Sequence, residues 1–206
     1  MLNSPTILKN IILQPPAAKI YSRLGFKKKI TSISSSRQKE TDHHMEEAIS
    51  LISLQGSFLL LPIHENDGRK IRLAGGLSFD SAKLAAFLRD CREAVLLGAT
   101  AGGAIMEAIR DKTSQGDLTA AVVYDATASE MADAALDWIT DYINRQLRRE
   151  GRHLLPRRFS AGYADFALDN QKEIHEKLQL AKIGVTLTDS FLLIPEKSVT
   201  AVSGIL

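Results

Sequence analysis

The chain has little of several features that mark common protein classes. Its single cysteine, Cys91, allows no disulfide within the chain and fits a reducing compartment. No apolar run approaches the ~18 to 20 residues that a membrane-spanning helix needs. The short apolar run at 11–13 is stopped at once by Gln14-Pro15-Pro16, so no secretory signal is expected. We therefore expect a cytoplasmic protein that is not embedded in a membrane.

The net charge is also small. The 206 residues include 26 Lys and Arg and 24 Asp and Glu, a formal net charge of +2, which gives no reason to expect a nucleic-acid partner. Residues 1–40 are nevertheless basic, with eight Lys and Arg against one acid, Glu40. The run Lys27-Lys28-Lys29 either attracts an acidic partner or guards a solvated strand edge against pairing.

Motifs for catalysis and metal binding are scarce. Residues 98–103, G-A-T-A-G-G, separate a predicted strand from a predicted helix, but they lack the lysine and the glycine spacing of phosphate-binding loops. His43 and His44 point about 100° apart on a predicted helix, so they are poor ligands for one metal ion. The sequence therefore predicts a structural turn at 98–103 and no metal site.

The hydrophobic pattern predicts an α+β fold in one domain over residues 1–206. The longest element is a helix over about 117–149, which Asp117 caps and Gly151 ends. Further helices are predicted at 16–25, 36–55, 78–89, 104–112 and 169–180, and strands at 27–34, 58–63, 69–73, 94–97, 183–187 and 199–205. Since the predicted strands are irregularly spaced among the helices, we expect a mixed or antiparallel sheet with helices packed against one face.

Residues 157–166, R-R-F-S-A-G-Y-A-D-F, contain the candidate binding site. Arg158 carries a permanently charged guanidinium suited to a carboxylate, and Gly162 lets the backbone approach a ligand closely. Tyr163 offers an aromatic face and a hydroxyl. No nucleophile paired with a base lies nearby, so the pattern favours ligand binding over bond cleavage. Taken alone, it also fits a strand-end bend in which Arg158 pairs with an acid such as Asp165.

An ordered set of short motifs resembles the activation domain of cobalamin-dependent methionine synthase, especially its free-standing short form. Residues 158–163, R-F-S-A-G-Y, are similar to that family's R-x-S-P-G-Y, with Ala161 in place of proline. Residues 184–190, G-V-T-L-T-D-S, are similar to G-V-x-L-T-E-S, and 197–204 to a K-S-V-S-G ending. Upstream, residues 23–26 resemble R-Y-L-G-Y, 100–102 resemble T-x-G and 125–129 resemble D-A-x-A-S.

The resemblance implies an accessory protein in the reductive reactivation of methionine synthase. It would bind S-adenosylmethionine and present it to cobalamin on a partner, either a cobalamin-binding methionine synthase subunit or another corrinoid protein. A methyl group from S-adenosylmethionine and an electron, for which a flavodoxin-like donor would fit the basic run, would restore the active cofactor there. The chain has no D-x-H-x-x-G motif that could supply a cobalt ligand, so it is not expected to be catalytic alone.

The family's site residues carry over onto the turn at 158–163. Arg158 would hold the methionine carboxylate of the ligand, Ser160 and Gly162 would contribute backbone contacts, and Tyr163 would line the adenosine or corrin side. Lys197 and Ser198 match the family without an assigned role, and Lys197 is expected to be a surface lysine. The sequence departs from the long-form enzymes at 164–167, A-D-F-A for P-A-C-P, and it stops soon after Ser203-Gly204, where they continue.

Two alternatives belong to other classes of protein. The first is an interaction module that docks on a corrinoid protein without binding a ligand. The second is a stand-alone S-adenosylmethionine-dependent methyltransferase, which the absence of a G-x-G-x-G loop after the first strand disfavours.

Overall fold

The computed structural model describes residues 4–27 and 30–206. Lys28 and Lys29 lie outside the described residues, so both interpretations of the basic run stay predictions. The described part of the strand predicted over 27–34 is not a strand. The amides of Ile30 and Thr31 bond to the carbonyl of Lys27 in a tight turn, and the hydroxyl of Ser34 then accepts a hydrogen bond from an amide of the following helix.

The described residues form six α-helices and eight strands. The helices are α1 (Ala17–Arg23), α2 (Ser35–Leu51), α3 (Ala82–Phe87), α4 (Ala104–Ser114), α5 (Leu118–Leu147) and α6 (Asn170–Leu178). The strands are β1 (Thr6–Leu8), β2 (Gln55–Asn66), β3 (Lys70–Leu73), β4 (Ser78–Asp80), β5 (Glu93–Thr100), β6 (Thr186–Leu187), β7 (Leu193–Ile194) and β8 (Ser198–Ile205). Short 3₁₀ turns occur at Ala74–Gly76, Arg148–Glu150 and Leu180–Ile183.

Six strands form one antiparallel sheet in the order β4-β3-β2-β5-β8, with β1 also paired to β2. β5 is the central strand: its eight residues pair with Gln55–Pro62 of β2 on one side and with all of β8 on the other. β6 and β7 form a separate two-stranded ribbon. The predicted α+β class is confirmed, and the sheet is antiparallel.

Helices cover both faces of the sheet, so the expectation of one covered face was wrong. Alternate residues of a strand point to opposite faces. Val95, Leu97 and Ala99 of β5 therefore pack in a cluster with α5, whereas Ala94 and Leu96 pack in a second cluster with α3 and α6. The sequence of β5 is apolar without alternation, which is typical of a strand buried on two sides.

The predicted long helix is confirmed as α5. The Asp117 carboxylate accepts a hydrogen bond from the amide of Ala120, and Gly151 follows the helix in the left-handed conformation (φ 69°). Buried alanines, including Ala128 and Ala135, keep the helix slim where it crosses the sheet. Within residues 4–27 and 30–206, no helix combines the length and the apolar character needed to cross a membrane.

Further segments also differ from their predicted structure, among them the strand predicted over 183–187, of which only Thr186–Leu187 is a strand. The helix predicted over 78–89 begins only after Ser81, because Ser78–Asp80 pairs with β3 as the strand β4. The strand β7 was not predicted, since two residues are too few to show an alternating pattern. Cys91 is buried, as expected.

Candidate functional site

A groove of about 1500 Å³ lies beside the C-terminal half of α5. One wall is α5 from Asp133 to Asn144, continued by Arg148 of the following 3₁₀ turn, and the other comprises the segment 153–161 and the start of β8. Tyr163, Leu168 and residues 191–193 also line it. The groove therefore joins the candidate turn at 158–163 to the segment that follows the motif at 184–190.

The segment 154–160 is held against β8 by backbone hydrogen bonds. The Leu155 amide donates to the Gly204 carbonyl (2.8 Å), and Phe159 and Val202 exchange bonds of 2.8 and 2.7 Å. Phe159 packs in the α3–α6 cluster, next to Phe87 and Phe166. Arg158 and Ser160, on either side of Phe159, line the groove, and Phe159 itself also reaches it.

Arg158 is paired with an acid of α5 and not with Asp165. Its Nη2 lies 2.9 Å from Oδ1 of Asp137, and its Nη1 donates to Oγ1 of Thr140 (3.3 Å). The other oxygen of Asp137 lies 3.1 Å from the ammonium of Lys19 on α1. The Arg158 side chain is 26% exposed, so its guanidinium remains accessible from the groove.

Asp165 instead anchors the turn to α3. Its carboxylate accepts a hydrogen bond from the Ser81 hydroxyl (2.6 Å) and two from the amide of Lys83 (3.2 and 3.3 Å). These bonds, first that from Ser81, lower the pKa of Asp165. The bend interpretation therefore named the wrong acid, because the carboxylate nearest in sequence serves the N-terminus of a helix.

Three carboxylates on α5 give the groove an acidic wall. Asp133, Asp137 and Asp141 are spaced four residues apart, so they lie on one face of the helix, and all three line the groove. Burial, followed by the charge of Glu130, raises the pKa of Asp133, and the charge of Arg23 opposes this shift. The groove thus places anions beside the guanidinium of Arg158, and Arg148 and Arg157 also line it. This arrangement suits a ligand that carries both charges.

The remaining predicted site residues divide between wall and turn. Ser160 lines the groove, and its hydroxyl donates to the Thr200 carbonyl (2.8 Å). Tyr163 lines it and is 69% exposed. Gly162 does not line the groove; it adopts φ 88° and its amide donates to the Phe166 carbonyl (2.7 Å), so it shapes the turn. Of its backbone groups, only the carbonyl is left for a ligand.

Several other matching motifs contact one another and hold the fold together. The Lys197 ammonium lies 2.6 Å from Oδ1 of Asp125 and 2.9 Å from Oγ of Ser129, which joins the K-S and D-A-x-A-S motifs. The Ser198 hydroxyl donates to Oγ1 of Thr100 (2.8 Å), the threonine of the T-x-G match. Lys197 has only 15% of its side chain exposed, so the expectation of a surface lysine was wrong.

Two more matches have structural roles. Arg23, from the match at 23–26, donates to Oε1 of Glu130 on α5 (2.6 Å). Gly204 lies against Cys91 and Leu88, where an added Cβ would come within 2.3 Å of Sγ of Cys91. These residues support the walls of the groove without lining it.

Asp137, Gln171 and Phe191 line the groove and were not predicted as site residues. The four-residue spacing of acids along α5 was a readable signal for Asp137. Gln171 carried no such signal, because a polar residue early in a helix is ordinarily solvated. Phe191 lies at φ 63°, a conformation that costs a non-glycine residue of order 1 kcal/mol and often marks a functional segment.

Comparison with solved structures bears on the fold. No protein-family model matches the chain, and no curated protein matches it. Among solved structures, the crystal structure of the MetH reactivation domain bound to AdoHcy matches with a TM-score of 0.70 and 14% sequence identity, over 98% of this chain and 78% of that one. At this identity the likeness establishes the fold, and the fold that the motif resemblance implied is confirmed.

Proposed function

We propose that this protein is a reactivation module that binds S-adenosylmethionine in the groove and presents it to cobalamin on a partner. The observation that carries the proposal is the pair of Arg158 and Asp137 at the groove wall. The shared fold with a domain crystallised with AdoHcy (S-adenosylhomocysteine) supports the same class of ligand.

The pair of Arg158 and Asp137 is complementary to the zwitterionic end of an amino acid. A carboxylate fits the planar guanidinium, which can donate two parallel hydrogen bonds. Asp137, displaced from Arg158, remains beside the groove to accept the ligand's ammonium group. Asp133, on the same wall, adds a second anion that favours a positively charged sulfonium ligand.

The apolar part of the groove lining suits a nucleoside. Tyr163, Leu168, Phe191 and Leu192 present aromatic and apolar surface there. A purine ring gains contact area and stacking energy against such side chains. Ligand orientation then follows from the walls: the amino acid end lies at Arg158, and the base lies near Tyr163.

The partner surface is proposed at the mouth of the groove. Tyr163, Leu192 and Ile194 are 69%, 55% and 45% exposed, and the first two line the groove, so apolar surface is available to a partner there. A partner that carries cobalamin, a methionine synthase subunit or another corrinoid protein, would cover this surface and bring the cofactor to the ligand. The bound ligand supplies the methyl group, and the protein contributes by positioning, which makes the transfer effectively unimolecular. A flavodoxin-like electron donor would approach the basic N-terminal region.

The test is calorimetric titration of S-adenosylmethionine and S-adenosylhomocysteine into wild type, Arg158→Ala and Arg149→Ala. Arg149 is exposed and lies outside the groove, so its variant controls for loss of one positive charge. A charge-assisted hydrogen bond contributes roughly 1.5–3 kcal/mol, so Arg158→Ala should weaken binding by about 10- to 150-fold. Its melting temperature should change little, because half-exposed Asp137 keeps Lys19 as a partner. Equal affinities in the two variants would contradict the proposal.

The exposed side chains of Tyr163, Leu192 and Ile194 also favour a second candidate, an interaction module that docks on a corrinoid protein without a ligand. It would bind its partner equally well with and without S-adenosylmethionine. Absence of any calorimetric signal with wild type would favour this candidate.

A further inference from the structure

Gln171 is a buried polar residue at the start of α6 whose side chain is only partly used. The residue is 4% exposed and lines the groove. Its Oε1 accepts a hydrogen bond from Oγ1 of Thr200 (2.9 Å). Its Nε2 donates to no atom within residues 4–27 and 30–206. Nε2 is also not fully buried, since among those residues Ser78 Oγ is the one fully buried side-chain nitrogen or oxygen that has no hydrogen-bond partner. The amide hydrogens of Gln171 therefore have access to the groove.

A carboxamide at such a position carries a cost unless an acceptor reaches it. An unsatisfied buried donor is destabilising, and buried side-chain polar groups in proteins are ordinarily paired. The contact with Thr200 fixes one end of the Gln171 amide, and the other end presents two N–H groups. The groove is thus equipped with a fixed donor that no described protein atom uses.

Gln171 lies beside the apolar lining of the groove, because its backbone amide donates to the carbonyl of Leu168 (2.9 Å), which also lines the groove. Thr200 links Gln171 to the turn at 158–163. The Ser160 hydroxyl donates to the Thr200 carbonyl, and the Thr200 hydroxyl donates to Oε1 of Gln171. Ser160 is two residues from Arg158, or about 7 Å along an extended chain. A ligand held at Arg158 would reach Gln171 with the part that lies near Tyr163.

We propose that Gln171 is a specificity-determining residue whose Nε2 donates to an acceptor on the nucleoside half of an S-adenosyl ligand. The inference rests on the proposed function and adds the recognition of that half. A purine ring nitrogen and a ribose oxygen are both acceptors of the required chemistry. An amide donor favours a nucleoside over an apolar group of equal size, because the apolar group would leave Nε2 unpaired.

The test separates the two halves of the ligand. The probes are S-adenosylhomocysteine, which has both halves, and 5′-methylthioadenosine, which is uncharged and lacks the amino acid. Gln171→Glu preserves the side-chain shape and the acceptor for Thr200 but replaces the donor with an acceptor. Gln171→Met removes the donor without adding charge. Titrations at pH 8 keep the glutamate ionised.

We expect Gln171→Glu to weaken both probes by tenfold or more, and Gln171→Met to weaken both by about 3- to 10-fold. Arg158→Ala should weaken S-adenosylhomocysteine and leave 5′-methylthioadenosine unchanged. Analogues of the ligand identify the acceptor. If a 7-deaza analogue binds wild type more weakly than the parent ligand but binds Gln171→Met equally well, the acceptor is on the base; the same result with a 2′-deoxy analogue places it on the ribose.

The failures of the two proposals are distinguishable. Wild-type affinity for both probes in Gln171→Met, with S-adenosylhomocysteine still dependent on Arg158, overturns the role of Gln171 alone. Absence of binding in wild type overturns the proposed function and this inference together. Thermal unfolding of each variant separates lost affinity from lost structure, and if Gln171→Glu does not fold, Gln171→Met decides the question.

Discussion

The contact between Lys197 and Asp125 can be tested by a double-mutant cycle. We consider Lys197→Met, Asp125→Asn and the double variant, because each replacement keeps the approximate shape of the side chain and removes its charge. Lys197 has 15% of its side chain exposed and Asp125 has 50%. The pair is therefore intermediate between a surface ion pair and a buried one.

The expected coupling free energy is about 1 kcal/mol. Exposed ion pairs contribute roughly 0.2–1 kcal/mol, whereas removing one partner of a fully buried pair costs roughly 3–5 kcal/mol. Water still reaches Asp125 after Lys197 is replaced, which places the coupling near the top of the exposed range. The single variant Lys197→Met should lose about 1–2 kcal/mol, because it also loses the hydrogen bond to Ser129. For a chain of this size, 1 kcal/mol lowers the melting temperature by about 2–4 °C.

Urea unfolding followed by circular dichroism gives the four free energies of unfolding. The pair Arg89 and Asp90, with side chains 77% and 74% exposed, provides a matched control cycle whose coupling should stay below about 0.5 kcal/mol. Affinity for S-adenosylmethionine should be unchanged in Lys197→Met, since Lys197 does not line the groove. A Lys197–Asp125 coupling no larger than the control, or a loss of ligand affinity, would refute the structural role assigned to the two motifs.

Two further variants probe packing and electrostatics. Gly204→Ala should lower the free energy of unfolding by about 1–3 kcal/mol, because its Cβ would lie 2.3 Å from Sγ of Cys91 and 2.8 Å from Cδ2 of Leu88. Urea unfolding measures this loss, and adding Cys91→Ala to the same chain should restore part of it. The pKa of Asp133 is raised above its ordinary 3.8 by burial first and by Glu130 next, so its ionised form destabilises the folded state as pH rises through the folded pKa. Asp133→Asn should therefore be more stable than wild type at pH 7, and this advantage should shrink as the pH approaches 3.8; a difference in urea unfolding that does not change with pH would contradict the reasoning.

The secondary structure was predictable where one continuous segment contains the complete sequence pattern of an element. The helix α5 has thirty residues without proline or glycine between Asp117 and Gly151, and the hairpin of β2 and β3 has Asn66-Asp67-Gly68 at its turn. Coverage of the second face of the sheet was missed, although the unbroken apolar sequence of β5 contained the information.

The site was predictable only in part. The resemblance directed attention to Arg158, Ser160 and Tyr163, and all three line the groove. The partner of Arg158 could not be inferred, because Asp137 lies 21 residues away on α5 and several acids were nearer in sequence. The contact between Gln171 and Thr200 spans 29 residues and depends on how α6 packs against the sheet. Such contacts follow from tertiary packing, which local periodicity does not encode.

The segment 153–160 has a consequence for solubility. β8 is the last strand of the sheet, and its sequence from 198 to 205, S-V-T-A-V-S-G-I, is apolar, uncharged and rich in β-branched residues. An open edge of this kind is a template for pairing between chains. The backbone bonds of His153, Leu155 and Phe159 occupy the outer side of β8, so the wall that carries Arg158 also shields an aggregation-prone edge. We therefore expect deletions or insertions in this segment to cause aggregation as well as loss of the proposed ligand binding. Point substitutions of groove-facing side chains are the variants that separate the two effects.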